Sequence, residues 1–265
     1  MPATSLDQML ELALAAAREA GEIALRHFRA GVSVETKADH SPVTIADREA
    51  EACLRRHIEA RFPEHAILGE EFGAVREGAA HRWLLDPIDG TQSFIRGSPL
   101  WGVMIALEHK GEPQIGVLHF PALAETVWAR RGGGAWWSNS LQPGFGERRA
   151  RVSSVARLED ATLLYTDPRG FAAAGCEDAF QRLRRATNFE RSWGDCYGHA
   201  LVATGRAEVM LDPVLHEWDA CALLPILEEA GGSFTDWSGA RTTRGGSGIS
   251  TNGALFREVR KLLRE

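Results

Sequence analysis

The stretch Trp83-Leu84-Leu85-Asp86-Pro87-Ile88-Asp89-Gly90-Thr91 decides how the rest of the chain is read. A short apolar run bounded by turn residues reads as a buried strand. The carboxyl end of such a strand is where open α/β sheets place their ligands. Pro87 fixes its own φ and biases Asp86 towards extended geometry, so the two acids leave the strand on a stiff turn. Carboxylates held that way repel each other unless a cation sits between them. Hard cations such as Mg²⁺ take carboxylate and carbonyl oxygens, and the peptide carbonyl of Ile88 lies between the two acids. Gly90 lets the backbone approach a bound group, and Thr91 can open a helix whose N–H groups suit a phosphate. A site for a metal and a phosphate is one reading. An Asp-Pro turn with an Asp helix cap is the other.

The chain around this stretch has 265 residues, 44% hydrophobic and 25% charged, with a net charge of −6. That length can bury a large core, as one domain or as two closely packed lobes. No basic block offsets the acidity, so no nucleic-acid partner is expected. No apolar run reaches membrane-spanning length, so no membrane partner is expected either. A small cationic or metal-bridged ligand fits the charge better. The opening Met1-Pro2-Ala3-Thr4-Ser5-Leu6-Asp7 has no basic segment and meets an acid early, unlike a signal peptide. Cys53, Cys176, Cys196 and Cys221 are scattered, with no CxxC pair. That pattern suits buried thiols in a reducing cytosol, and a cytoplasmic location is expected.

Upstream, Leu6, Met9, Leu10, Ala13, Ala17, Ala20, Ile23, Ala24 and Phe28 recur at helical spacing. They predict a helix over 5–28, opened by a Ser5/Gln8 capping box and stopped by Gly31. A short strand over 32–36 and a polar loop containing Lys37 follow, then a helix entered through Val43 to Asp47 and ending near Arg61. Lys37 in such a loop reads as solvated, and Asp47 as a charge favourable to the helix dipole. Ala66-Ile67-Leu68-Gly69 is a strand ending in Glu70-Glu71, which repeats the opening pattern. Two strands ending in acids look like one site assembled from neighbouring sheet ends.

Downstream, residues 102–107, 114–120 and 125–129 read as strands separated by hairpin-like breaks. Antiparallel strands without an intervening long helix argue against a plain Rossmann sheet. The glycine-rich turn over 131–137 lacks GxGxxG spacing and a phosphate-loop lysine, and His119 reads as a core histidine. A soft shift near Arg149 divides the chain into lobes of residues 1–150 and 151–265, packed as one catalytic unit. In the second lobe a strand over 208–211 ends in Asp212-Pro213. A helix over 217–230, closed by Gly231-Gly232, carries Asp219 in its first turn. An acid is favourable there, and a third acid there could face the strand ends. No internal repeat or low-complexity linker interrupts the chain.

In order along the chain, Gly69-Glu70-Glu71, Asp86-Pro87-Ile88-Asp89-Gly90-Thr91, and Trp218-Asp219-Ala220 ahead of Glu228 and Ala230-Gly231-Gly232 resemble a known family. It is the inositol monophosphatase-like superfamily of Mg²⁺-dependent, lithium-sensitive phosphatases. The resemblance implies a mixed α/β fold, the α-β-α-β-α layered sandwich of the inositol monophosphatase and fructose-1,6-bisphosphatase type. It also implies a homodimer and a small-molecule phosphate monoester as substrate. By the same resemblance Glu70, Asp86, the Ile88 carbonyl, Asp89 and Asp219 hold two or three Mg²⁺ ions. Asp47 pairs with Thr91 and, with Glu70, orients the attacking water. The backbone of Gly90 and Thr91 cradles the phosphate, and Lys37 falls in the metal-side loop.

Within that superfamily, Ser98-Pro99-Leu100-Trp101-Gly102, Trp193-Gly194-Asp195-Cys196-Tyr197-Gly198 and Glu208-Val209-Met210-Leu211-Asp212-Pro213 look most like the histidinol-phosphatase branch. L-Histidinol phosphate carries an ammonium and an imidazole, so acids beyond the metal ligands would pair with groups that inositol lacks. Asp195, Asp212 and Glu217 are the candidates. Asp195 also reads as a helix-start acid, and Asp212-Pro213 as a plain turn. Trp101 and Trp193 either wall the imidazole or pack in the core. The runner-up activity is an inositol-1-monophosphatase or a broad sugar monophosphatase. A catalytically inactive binding member of the fold is the reading from another class. Intact acids at the metal positions count against it, because buried unpaired carboxylates are costly to keep.

Overall fold

The computed structural model describes residues 5–31, 33–36 and 42–264. The expected strand start at Val32 and the loop residue Lys37 lie outside the described residues. Helix α1 (Leu6–His27) forms as its spacing predicts. The Ser5 hydroxyl accepts from Gln8 N–H, and the Gln8 side chain accepts from Ser5 N–H. Its apolar stripe is built largely of alanines, among them Ala13, Ala16, Ala17 and Ala20, all buried. After a β-ribbon of β1 (Val34–Thr36) and β2 (Pro42–Thr44), helix α2 (Ile45–Arg61) packs alongside α1.

The first sheet follows: β3 (Ala66–Gly69), β4 (Gly73–Val75), β5 (His81–Asp89), then short α3 (Thr91–Ile95), β6 (Gly102–His109), β7 (Glu112–Phe120), β8 (Glu125–Arg130), β9 (Gly134–Asn139) and β10 (Glu147–Arg149). Its eight strands run in the order β10-β9-β8-β7-β6-β5-β3-β4, antiparallel throughout except for the β3–β5 pair. Strand β9 takes in Ala135, Trp136 and Trp137, which their glycine-rich surroundings predict as a turn. Pairing of Trp136 with Trp128 on β8 decides otherwise, since a ladder with neighbouring strands outweighs local glycine content.

The second sheet is built from β11 (Thr162–Tyr165), α4 (Pro168–Ala173), α5 (Glu177–Ala186), β12 (Phe189–Arg191), α6 (Asp195–Ala203), β13 (Val209–Asp212), α7 (Glu217–Glu229), β14 (Ser233–Thr235), β15 (Gly248–Thr251) and α8 (Phe256–Arg264). Its order is β12-β11-β13-β15-β14. Strand β15 lies in a glycine-rich stretch with no strand signal of its own and is held by β13 and β14 on either side.

Three apolar clusters define the layers. Along β5, Trp83 and Leu85 turn to one face and Leu84 to the other, the period-two alternation of a strand buried on both sides. Trp83 and Leu85 pack with Ala13, Leu54 and Ile58 of α1 and α2. Leu84, Met104 and Leu118 pack with Ala200, Leu223 and Leu227 of α6 and α7, and through them with Leu164 and Met210 of the second sheet. The far face of that sheet, Leu163, Val209 and Leu211, packs on Phe171, Phe180 and Val259 of α4, α5 and α8. Each such large side chain contributes roughly 1.5–3 kcal/mol of burial free energy. The result is the α-β-α-β-α sandwich that the resemblance implies. Helix α7 lies between the two sheets, with its N-terminus directed at the end of β5.

Candidate active site

Strand β5 does not stop at Asp86. It continues to Asp89 through a register shift in its pairing with β6, where Asp86 faces Met104 and Asp89 faces Gly102. Residues an odd number apart on a regular strand point to opposite faces. The bulge cancels that alternation and brings both acids to one side. Pro87 is tolerated there because a bulge does not ask it for a ladder hydrogen bond. Asp86 Oδ1 accepts from Ile88 N–H at 2.9 Å, which fixes the bulge from within.

Strand β3 runs parallel to β5 with Gly69 beside Leu85, and Glu70 N–H donates to Leu85 O at 3.1 Å. Glu70 is thereby set next to Asp86. Asp219 enters from the middle layer as the third residue of α7, its Oδ2 accepting from His216 N–H at 2.9 Å. One oxygen from each of Asp86, Asp89 and Asp219 can be chosen so that all lie within 4.8 Å of one another. Desolvation, and then the charges of Glu70, Asp89 and Asp219, push the Asp86 carboxyl well above the usual carboxylate range. Asp219 is raised for the same reasons, with Asp89 the largest charge. Asp89 is raised by desolvation and partly relieved by Cys196, whose N–H donates to its Oδ2 at 2.5 Å. Acids that suppress one another's ionisation form a hard-oxygen donor set for a divalent cation. These residues fit Mg²⁺, which would be held by Asp86, Asp89 and Asp219 with Glu70 beside them.

Asp47, buried at 1% exposure, stands on α2 near this cup. Its Oδ2 accepts from Thr44 N–H at 2.8 Å and from the Thr44 hydroxyl at 2.6 Å, which makes it the third residue of a capping box. Burial raises its pKa against those two hydrogen bonds, and the Glu70 charge adds to the rise. The Asp47–Thr91 pairing implied by the resemblance is not what the geometry gives. The Thr91 hydroxyl donates to Ile88 O at 3.1 Å, because at the start of α3 the carbonyl three residues back is its nearest acceptor. Gly90 caps α3 in the left-handed region, φ 82°, and a Cβ there would lie 3.0 Å from Leu100 O and 3.1 Å from Asp195 Oδ2. Only glycine suits both demands.

Two cavities meet beside the cup. One, of about 580 Å³, has Gly90, Thr91, Arg96 and Arg169 on its walls. The other, of about 140 Å³, reaches Asp89, His199, Asp212 and Asp219. Asp195 and Thr166 line both. Asp195 sits at the start of α6 with φ 53°, a conformation few non-glycine residues adopt. Desolvation, then Asp89, Asp212 and Asp219, raise its pKa well above the ordinary value. Its N–H donates to Thr166 Oγ1 at 2.8 Å, and the Thr166 hydroxyl donates to Asp212 Oδ1 at 2.6 Å. A Cβ on Gly194 would lie 2.3 Å from Thr166 Cα, so glycine is what lets β11 close on α6 here.

Asp212 lines the smaller cavity, yet both its oxygens are engaged, the second with His199 Nε2 at 3.0 Å. His199 in turn meets Ser250 Oγ at 2.7 Å through Nδ1. Glu217 is not in the site. It binds Arg82 and, at 2.5 Å, Arg244, on the side of α7 away from the acids. Two residues along a helix turn the side chain by about 200°, so Glu217 and Asp219 cannot face the same way. Trp101 is fully buried against Phe94 and Phe28, and Trp193 is 42% exposed beside Phe189. Glu51, Thr166 and His199 went unrecognised in the sequence. Glu51, wholly buried, accepts from Glu71 N–H at 2.7 Å and Phe72 N–H at 3.2 Å and so holds the turn that carries Glu70. Its spacing four residues after Asp47 was the available signal.

A profile of the inositol monophosphatase family matches residues 5–264. A histidinol-phosphatase of Chlorobaculum parvum is 43% identical over 94% of each chain. One of Mycobacterium tuberculosis is 39% identical over 94% of this chain and 95% of its own. Among solved structures, an inositol monophosphatase from Zymomonas mobilis superposes with a TM-score of 0.86 at 30% identity, covering 99% of this chain and 100% of that one. The bulged Asp86–Asp89 strand end, the layered sandwich and a match along nearly the whole chain lead to one assignment: the chain belongs to the inositol monophosphatase family.

Proposed function

We propose that this protein is a Mg²⁺-dependent phosphoric monoester hydrolase that converts L-histidinol phosphate and water to L-histidinol and phosphate, a step of histidine biosynthesis. The observation that carries the substrate is Asp195. It is an acid beyond the metal-type cluster, set where the small acidic cavity joins the open one. A leaving group with an ammonium or imidazolium would find a charge partner there, and a neutral polyol would not. The relatives named histidinol-phosphatase, 43% and 39% identical, support the same reading.

In this reading Glu70, Asp86, Asp89, Asp219 and the Ile88 carbonyl would hold two or three Mg²⁺ ions. Bound there, Mg²⁺ neutralises the phosphate dianion and makes a water nucleophilic near neutral pH. Glu70, with Asp47 behind it, orients that water and accepts its proton. Gly90 and Thr91 offer backbone N–H groups to the phosphate oxygens. The water oxygen forms the new P–O bond, the ester P–O bond breaks, and the departing alcohol takes up a proton. Asp195 holds the cationic end of the alcohol, and Asp212 acts through Thr166 to hold Asp195 in place. Residues 1–150 supply most of the metal ligands and residues 151–265 supply Asp219 and the substrate-selecting acids, so the lobes work as one domain. A cytoplasmic homodimer belongs to the same reading, and its four free thiols suit that compartment.

The test compares kcat/KM for L-histidinol phosphate and inositol 1-phosphate in the wild type and in Asp195→Asn. Histidinol phosphate should be preferred, and the preference should fall by about tenfold or more in the variant. Preference for inositol phosphate, or an unchanged ratio, overturns the substrate assignment. Absence of Mg²⁺-dependent phosphate release from any monoester points instead to an inactive binding member of the fold.

A further inference from the structure

Cys53 and His57 lie on one face of α2 at i and i+4, and Glu19 of α1 faces them across the helix pair. One donor atom from each residue can be chosen so that all three lie within 4.8 Å of one another. His57 Nε2 is 2.6 Å from Glu19 Oε2. Cys53 is buried, while the His57 and Glu19 side chains are 28% and 44% exposed, so the cluster opens to water on one side. We propose that Glu19, Cys53 and His57 form a three-ligand site for a divalent cation of the zinc class, separate from the carboxylate cup.

Thiolate, imidazole and carboxylate are the donors that borderline-soft Zn²⁺ takes in tetrahedral geometry, with the fourth place left to water. Mg²⁺ prefers an all-oxygen set, so the two centres select different ions. Spacing of i and i+4 stacks the two α2 donors one turn apart, and the third comes from a helix locked against the first. Ala16 and Ala20 on α1 and Ala50 and Leu54 on α2 are all fully buried between these elements and the sheet. Donors on rigid elements lose little freedom on binding.

The competitor for the site is Arg56. Its Nη2 lies 2.6 Å from Glu19 Oε1 and 3.4 Å from Cys53 Sγ. That side chain is 62% exposed and can turn out into solvent when a cation takes its place. Burial pushes the Cys53 thiol up to about 11, so metal binding must release its proton and should strengthen as pH rises. Along α2 the two donors stand roughly 9 and 15 Å from Asp47, on another face of the helix. Occupancy would therefore staple α1 to α2 without entering the catalytic cup.

The test uses the full chain, stripped of metal by a chelator and titrated with Co²⁺ while excess Mg²⁺ fills the carboxylate cup. A near-ultraviolet thiolate-to-cobalt charge-transfer band should grow to one equivalent and be bleached by Zn²⁺. It should persist in Cys196→Ser, whose thiol lies nearest the acids, and vanish in Cys53→Ser. Competition with a chromophoric chelator should find Zn²⁺ affinity lowered by about tenfold or more in His57→Gln and Glu19→Gln. Those two substitutions are at partly exposed positions and keep the test usable if Cys53→Ser folds poorly. No band in the wild type, a band surviving in Cys53→Ser, or unchanged affinity in both exposed variants overturns the proposal.

Discussion

At Asp89 a single carboxylate meets two demands, since one oxygen accepts the Cys196 N–H and the group also faces Asp86 and Asp219. Asp89→Asn keeps an oxygen for that N–H and removes the charge. It should lower kcat for every phosphate monoester by roughly a hundredfold or more, with a melting temperature near that of the wild type. Phosphate-release kinetics on two unlike substrates check it, and a loss confined to one of them contradicts the role. Glu217 makes the opposite case. Its partners are Arg82 and Arg244, so Glu217→Gln should leave kcat/KM within about threefold and cost about 1 kcal/mol in chemical denaturation. A substrate-specific rise in KM would return Glu217 to the site. Both acids stand in sequence patterns suited to a ligand, and at this scale a residue's type says what it can do. Only its direction says where it does it.

At the scale of elements, the end of β5 depends on backbone geometry that no substitution elsewhere can replace. Gly90 combines a φ of 82° with Leu100 O and Asp195 Oδ2 close to where a Cβ would stand. Gly90→Ala should cost about 1–3 kcal/mol of stability and depress activity further still, because α3 and Asp195 must both move. Thermal melts and kcat measured on one preparation separate the two losses, and full activity in a normally folded variant would contradict the close approach. Helices α1, α2 and α7 and strands β3 and β6 lie where apolar spacing and end signals predict them. Ser5/Gln8 and the Gly231-Gly232 stop are local devices legible without tertiary information. Strand β15 and the Trp136 edge of β9 were hidden, since their ordering comes from neighbouring strands and not from their own residues. The bulge was hidden for the same reason: an Asp-Pro pair spells a turn unless β6 is present to continue the pairing.

For the molecule as a whole, the grouped acids link metal, pH and stability. Asp86, Asp89, Asp195 and Asp219 have folded-state pKa values raised above their unfolded values. Between those values the folded state binds more protons than the unfolded chain, so the metal-free protein loses stability as pH rises through that window. A divalent cation held by these acids would compete with those protons. The increase in melting temperature on adding Mg²⁺ should therefore be larger at about pH 7.5 than at about pH 5.5. A Mg²⁺ effect independent of pH would contradict the clustering. Chelation should abolish turnover, and Mg²⁺ should restore it. Apolar runs ending in Glu70-Glu71 and in Asp86-Pro87-Ile88-Asp89 pointed by themselves to one metal-type site at neighbouring strand ends, while the layered fold came from the family resemblance that these residues and Asp219 carry. The site was legible that early because donor chemistry and the burial of a strand are properties of residue type and spacing. Which side Glu217 faces, that Asp212 is occupied by Thr166 and His199, and that Asp195 stands beside Gly90 were decided only by tertiary structure. Those outcomes depend on helix rotation and on which partner stands within hydrogen-bond reach, and neither exists until the layers have packed.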